Sequence, residues 1–151
     1  MDAAIVSAVT ALVAVIISPA VSVYVARRQI RASVVSASRQ KWIDSLRDDL
    51  AQVYTAIHVL GLQRSLELIS DDELHARMAE LTLLESRISL RLNPKEEDHR
   101  AILSSIHESI QAMGAGSETA KRAAIQTHLS HLQQNAQVAL KREWERVKNG
   151  D

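Results

Sequence analysis

The sequence predicts an all-α protein, in which an N-terminal single transmembrane helix continues into a cytoplasmic antiparallel four-helix bundle. Three observations carry this expectation. Residues 3–26 bear no charged side chain before Arg27, Arg28 and Arg31 close the run. Beyond it, apolar residues recur at spacings of three and four, the period of an amphipathic helix. Phe is absent and aromatics make up 3% of the chain, so the core must be aliphatic, a composition that favours helices over sheets.

About 20 apolar residues at ~1.5 Å per residue cross a hydrocarbon layer of ~30 Å, so residues 3–26 are predicted to span a membrane. A secretory signal would place basic residues ahead of a shorter apolar core, whereas here Asp2 precedes the run and the arginines follow it. Basic residues are retained on the cytoplasmic side. Arg27, Arg28, Arg31, Arg39 and Lys41 therefore predict a bacterial inner-membrane protein with its N-terminus outside and its bundle in the cytoplasm. The absence of Cys fits that reducing compartment.

Within the run, Ala3, Ser7, Ala11, Ala14, Ser18 and Ser22 fall on one side of a helix. Small residues let helix backbones approach closely in lipid, so this stripe predicts self-association. Pro19 has no N–H to offer Val15, which predicts a kink. Residues 27–38 follow as a basic juxtamembrane stalk of about 18 Å. Arg27, Arg28 and Arg31 are expected to meet lipid head groups. The stalk's small, β-branched and hydroxyl residues suit an isolated helix poorly, and pairing with copies of itself would steady it.

Residues 39–148 are predicted to form the bundle. In its first helix Ile43, Leu46, Leu50, Val53, Ile57 and Leu60 make a heptad seam, and Gly61 shifts the apolar phase toward Leu62, Leu66 and Ile69. Ser70 with Glu73 makes a capping box that opens a second helix burying Leu74, Met78, Leu81, Leu84 and Ile88. Asn93 and Pro94 end it and restart the chain, Asn93 as N-cap and Pro94 at the first helical position. The third helix buries Ile102, Leu103, Ile106, Ile110 and Met113. After Gly114–Ser117, with Ser117 as cap, the fourth carries Ile125, Leu129, Leu132, Ala136, Leu140, Trp144 and Val147 inward. Counting rise along the helices brings Trp144 to the height of Trp42, so the two indoles are expected to lie together.

Charge is segregated although the formal net charge is zero. Residues 27–47 hold six Lys or Arg against Asp44 alone, and residues 48–140 hold eight basic against thirteen acidic residues, giving +5 and −5. The acidic bundle excludes direct binding to a nucleic-acid duplex. Glu96 with His99 supplies half of a carboxylate-bridged di-metal motif and Asp72 with His75 approximates the rest, but they stand more than ~15 Å apart along the bundle. No metal, cofactor or catalytic residue is expected, since nucleophile elbow, phosphate-cradling glycine loop and cysteine metal motif are all missing. His58, His99, His128 and His131 reach similar heights and are expected as separate histidines.

The segment from Arg39 through Gln40, Lys41, Trp42, Ile43, Asp44, Ser45, Leu46, Arg47, Asp48, Asp49 and Leu50 to Ala51 follows directly on this N-terminal arm. It resembles a pattern in small uncharacterised bacterial single-span inner-membrane proteins. The resemblance implies a location and no activity.

Together these features predict a non-enzymatic, self-associating inner-membrane protein whose cytoplasmic bundle senses or docks a partner, one version being a membrane-perturbing stress or antiviral effector. A passive membrane tether or scaffold that recruits a cytoplasmic protein is the second reading. A third is a receptor for a small anionic signalling ligand held by Arg64, Arg77 or Arg87. The partners expected are membrane lipids, further copies of the chain, and a cytoplasmic protein or small anionic ligand.

Overall fold

The computed structural model describes residues 3–114 and 117–149; the side chains of residues 3–14, 16–18, 20, 31 and 32 lie outside that description. Among the described residues the chain forms four helices and no strand. These are α1 (Ala3–Ser65), α2 (Asp71–Arg91), α3 (Glu97–Gln111) and α4 (Glu118–Asn149). The all-helical expectation is met.

The membrane expectation is corrected. Among the described residues no helix is long and apolar enough to cross a membrane. This overturns the transmembrane helix predicted over residues 3–26, and with it the single-pass architecture and the inner-membrane placement. Where the side chains of α1 are described, Arg27 and Arg28 stand exposed on the helix and interrupt its apolar residues. Of the predicted small-residue stripe, Ala3, Ser7, Ala11, Ala14 and Ser18 have side chains outside the described residues, and Ser22 is exposed. The helix continues on both sides of Pro19.

α1 is a single helix of 63 residues, about 94 Å long, and only its C-terminal part belongs to the bundle. There its seam is buried as the heptad pattern demands: Ile43, Leu46, Leu50, Val53, Ile57 and Leu60 all face the core. Gly61 does not break the helix. A Cβ at this position would stand 2.9 Å from Ile125 Cδ1, so the glycine lets α4 approach closely. α1 ends four residues later in a Schellman turn, with Leu68 N–H bonded to Gln63 C=O at 2.9 Å and Glu67 N–H to Arg64 C=O at 3.2 Å. Glu67 takes the left-handed conformation, φ 54°, at the position where glycine is usual.

Ser70 caps α2 as the sequence demands, its hydroxyl accepting the Glu73 N–H at 3.3 Å. Leu81 and Ile88 are buried, and Leu74, Met78 and Leu84 pack against the core. α3 starts later than predicted. Asn93 Oδ1 accepts the Lys95 N–H at 3.1 Å and Asn93 C=O accepts the Glu96 N–H at 3.1 Å, so Asn93 and Pro94 form a turn and Glu96 becomes the N-cap. Ser117 caps α4 through Ala120 N–H at 3.4 Å.

α4 packs on α3 and α1, α1 packs on α2, and α2 meets α3 only lightly. The helices therefore run around the bundle in the order α2, α1, α4, α3. Along α4 the buried positions are Ile125, Leu129, Leu132, Ala136, Ala139 and Glu143. The stripe ends on a carboxylate. Trp144, one residue later, turns outward at 49% exposure, with Lys148 Nζ 5.4 Å from its ring centroid. The predicted pairing of Trp144 with Trp42 is thus corrected: the ring beside Trp42 is His99, at a centroid distance of 6.1 Å.

Candidate functional site

The densest polar chemistry lies where α1 leaves the bundle. It is assembled from the start of α1's bundle segment, the turn between α2 and α3, and the last turns of α4. Trp42 anchors it by donating its Nε1–H to Arg91 C=O at 3.1 Å, tying α1 to the end of α2. His99, buried in the first turn of α3, accepts the Asn93 N–H on Nδ1 at 2.9 Å, and so holds the turn that follows α2.

The last buried turn of α4 brings Arg142 and Glu143 to this turn. Glu96, His99 and Glu143 each offer a donor atom, and these atoms lie within 4.8 Å of one another, a grouping of the kind that holds metal ions. Here the chain supplies the cation itself. Arg142 Nη2 bonds to Glu96 Oε2 and stands 3.3 Å from His99 Nε2 and 3.3 Å from Glu143 Oε1, while Nη1 bonds to Asp98 Oδ1 at 2.8 Å. Burial works to lower the guanidinium's affinity for its proton, but the bond and charge of Asp98, with Glu96 and Glu143, outweigh it and raise Arg142 above its usual value. Arg146 Nη1 adds a bond to Glu143 at 2.7 Å, and Arg39 of α1 approaches the same carboxylate at 3.9 Å.

A second buried carboxylate sits beside this cluster. Asp49 is 1% exposed and takes Arg87 at 2.6 Å and Arg91 at 2.8 Å, so one charge on α1 fastens two turns of α2. These two ionic clasps lock α2, α3 and α4 onto α1. The buried hydroxyls do different work: Ser105 donates to Ala101 C=O at 2.9 Å and Ser109 to Ser105 C=O at 2.6 Å, both within α3. Bonded back to their own helix, they are poorly placed to act as nucleophiles.

The arginines singled out for an anionic ligand do not gather at one point. Arg64 pairs with Asp71 at 3.2 Å, Arg77 with Glu80 at 3.2 Å and Glu73 at 3.9 Å, and Arg87 with Asp49. Arg77 and Arg87 lie about 15 Å apart along α2. Of the three, only Arg77 lines the groove between α1 and α2. Arg27 and Arg28 are exposed, and the Arg31 side chain lies outside the described residues. The histidines are dispersed: His58 stacks on Tyr54 at 6.5 Å, and His128 meets His131 edge-on at 6.4 Å and Glu108 at 3.0 Å.

Arg142 and Asp49 escape a reading based on apolar spacing, and Glu143 escapes one that admits only apolar residues to the buried stripe. The signal that finds Glu143 is the spacing itself, since Leu132, Ala136 and Ala139 continue to 143 rather than 144. Comparison with protein families, with curated proteins and with solved structures finds no match.

Proposed function

We propose that the protein is a non-enzymatic, self-associating docking module: a helical bundle that presents one long helical arm for assembly with further copies. The observation that carries this reading is the exposure of the arm. Ahead of the bundle, α1 displays Val21, Val23, Tyr24, Val25, Ile30, Val34 and Val35, with Ile30 at 63% and Tyr24 at 66%. Exposed large apolar residues gathered along one helix mark an interaction surface, and single helices rich in β-branched residues are marginal in water. The arm therefore needs a partner surface, and a further copy brings one of matching chemistry.

The ion cluster supports the same reading from the other direction. Its carboxylates and its histidine are spent on Arg142, Arg146 and the Asn93 turn, which suits a structural clasp that fixes the root of the arm. Sedimentation of the full-length protein tests the proposal. Concentration-dependent association is expected, weakened when Ile30 and Val34 are both changed to Glu. A monomer at every concentration defeats it.

A further inference from the structure

Resting on that reading, we propose that the second copy is received head to tail: the α1 arm of one copy lies in the groove between α1 and α2 of the next. The groove holds about 530 Å³; Ala51, Ala56, Val59, Leu60 and Leu84 give it apolar walls, Thr55 stands among them, and Arg77 and Glu80, paired with each other at 3.2 Å, also line it. Ala51 and Ala56 on its α1 wall are small, which lets another helix backbone come close. Ala51 also borders a second groove of about 420 Å³ between α1 and α4, edged by Leu50, Tyr54, Ala136 and Leu140. α1 within the bundle is therefore flanked by two grooves whose walls are mainly apolar.

The arm has the complementary form. Val23, Ile30 and Val34 lie on one stripe, at spacings of seven and four, and all are exposed. An apolar helix stripe laid into a groove is a recurrent mode of recognition. Charge selects the direction. Two arms side by side would bring Arg27, Arg28 and Arg31 against their own copies, whereas head to tail sets these three over a bundle whose residues 48–140 carry −5. Like charges repel and complementary potentials steer association, so the head-to-tail arrangement is favoured. Such a contact joins two different surfaces and propagates into a ring or an open chain of copies.

The chain has no Cys, so single cysteines report the contact without background. Chains carrying Ile30→Cys and Thr55→Cys, both exposed positions, would be oxidised separately and mixed, each full length and checked for unchanged helical signal. The mixture is expected to give a disulfide-linked dimer containing one of each chain, with neither chain cross-linking alone. The yield should fall by about tenfold between low salt and ~1 M salt as the charge attraction is screened. Cross-linking of Ile30→Cys with itself, without the mixed product, would mean that arms pair side by side; self-association would then stand and the groove assignment fall. Cross-linking of Thr55→Cys with itself would point to a symmetric contact and equally overturn the inference. No cross-link in any combination, with an oligomer in sedimentation, removes the groove; with a monomer, it removes the self-association reading as well.

Discussion

Arg142 of α4 stands 2.8 Å from Asp98 of α3, and through this bond the last turns of one helix are fastened to the first turn of another. The same guanidinium holds Glu96 and approaches His99 and Glu143, so removing it exposes several groups at once. Replacing Arg142 with Met is expected to cost about 3 kcal/mol, because Asp98 stays largely buried without its cation and Glu143 keeps only Arg146 and Arg39. The measurement is a urea midpoint at unchanged slope. Changing Glu143 to Leu in the same chain should recover part of the loss.

The pH dependence of this contribution follows from the direction of the Arg142 shift. Its folded value is raised, so its stabilisation is complete below the unfolded guanidinium value and is lost only as pH climbs through the folded one. Arg142 itself therefore contributes no slope to stability between about pH 5 and pH 10. In that window the loss caused by Arg142→Met should vary only through the partners it leaves behind, which unfolding at several pH values will read.

Asp49 makes a contrasting case. Its carboxylate is buried, but Arg87 and Arg91 are 46% and 32% exposed and can turn to water when it is removed. Asp49→Asn is expected to cost about 2 kcal/mol, below the 3–5 typical of breaking a fully buried pair. Hydrogen exchange should show the loss concentrated at the C-terminal end of α2.

The two tryptophans should behave oppositely. Trp42→Phe removes the bond to Arg91 C=O and is expected to cost about 1 kcal/mol or more, while Trp144→Ala on the outer face of α4 should stay within ~0.5 kcal/mol. Emission from the Trp42-only chain should lie to the blue of that from the Trp144-only chain.

Glu67 occupies a backbone conformation that costs a side chain about 1–2 kcal/mol. Glu67→Gly is accordingly expected to raise stability by about 1 kcal/mol, visible as a higher melting temperature, since both Schellman bonds involve backbone alone.

Most of the bundle is legible in the sequence because its helices are written in side chains that act locally. Ser70 caps by reaching three residues ahead, and the α1 seam is buried position for position. What escapes spacing is what depends on distant partners. Asp49 is buried because Arg87 and Arg91 come to it from α2, and a carboxylate is tolerated at 143 because Arg142 and Arg146 surround it. Apolar bias put Trp144 inside, yet α4 keeps its period and brings a carboxylate there. Asn93 misled in another way: its side chain bonds one turn of backbone and postpones α3 by that turn. The expected membrane span draws on an apolar run, whereas among the described residues no helix is long and apolar enough to cross a membrane, and Arg27 and Arg28 interrupt α1.

Because α1 passes from arm to bundle as one unbroken helix, the angle between Val34 and Ala51 is set by counting residues. Adding a single residue between 36 and 39 would turn the arm by about 100° without touching any bundle contact, whereas adding seven would nearly restore its facing and only lengthen its reach by about 10 Å. In the proposed assembly the helix would act as a keyed shaft: its phase would set how copies mesh, and its length how far apart they stand.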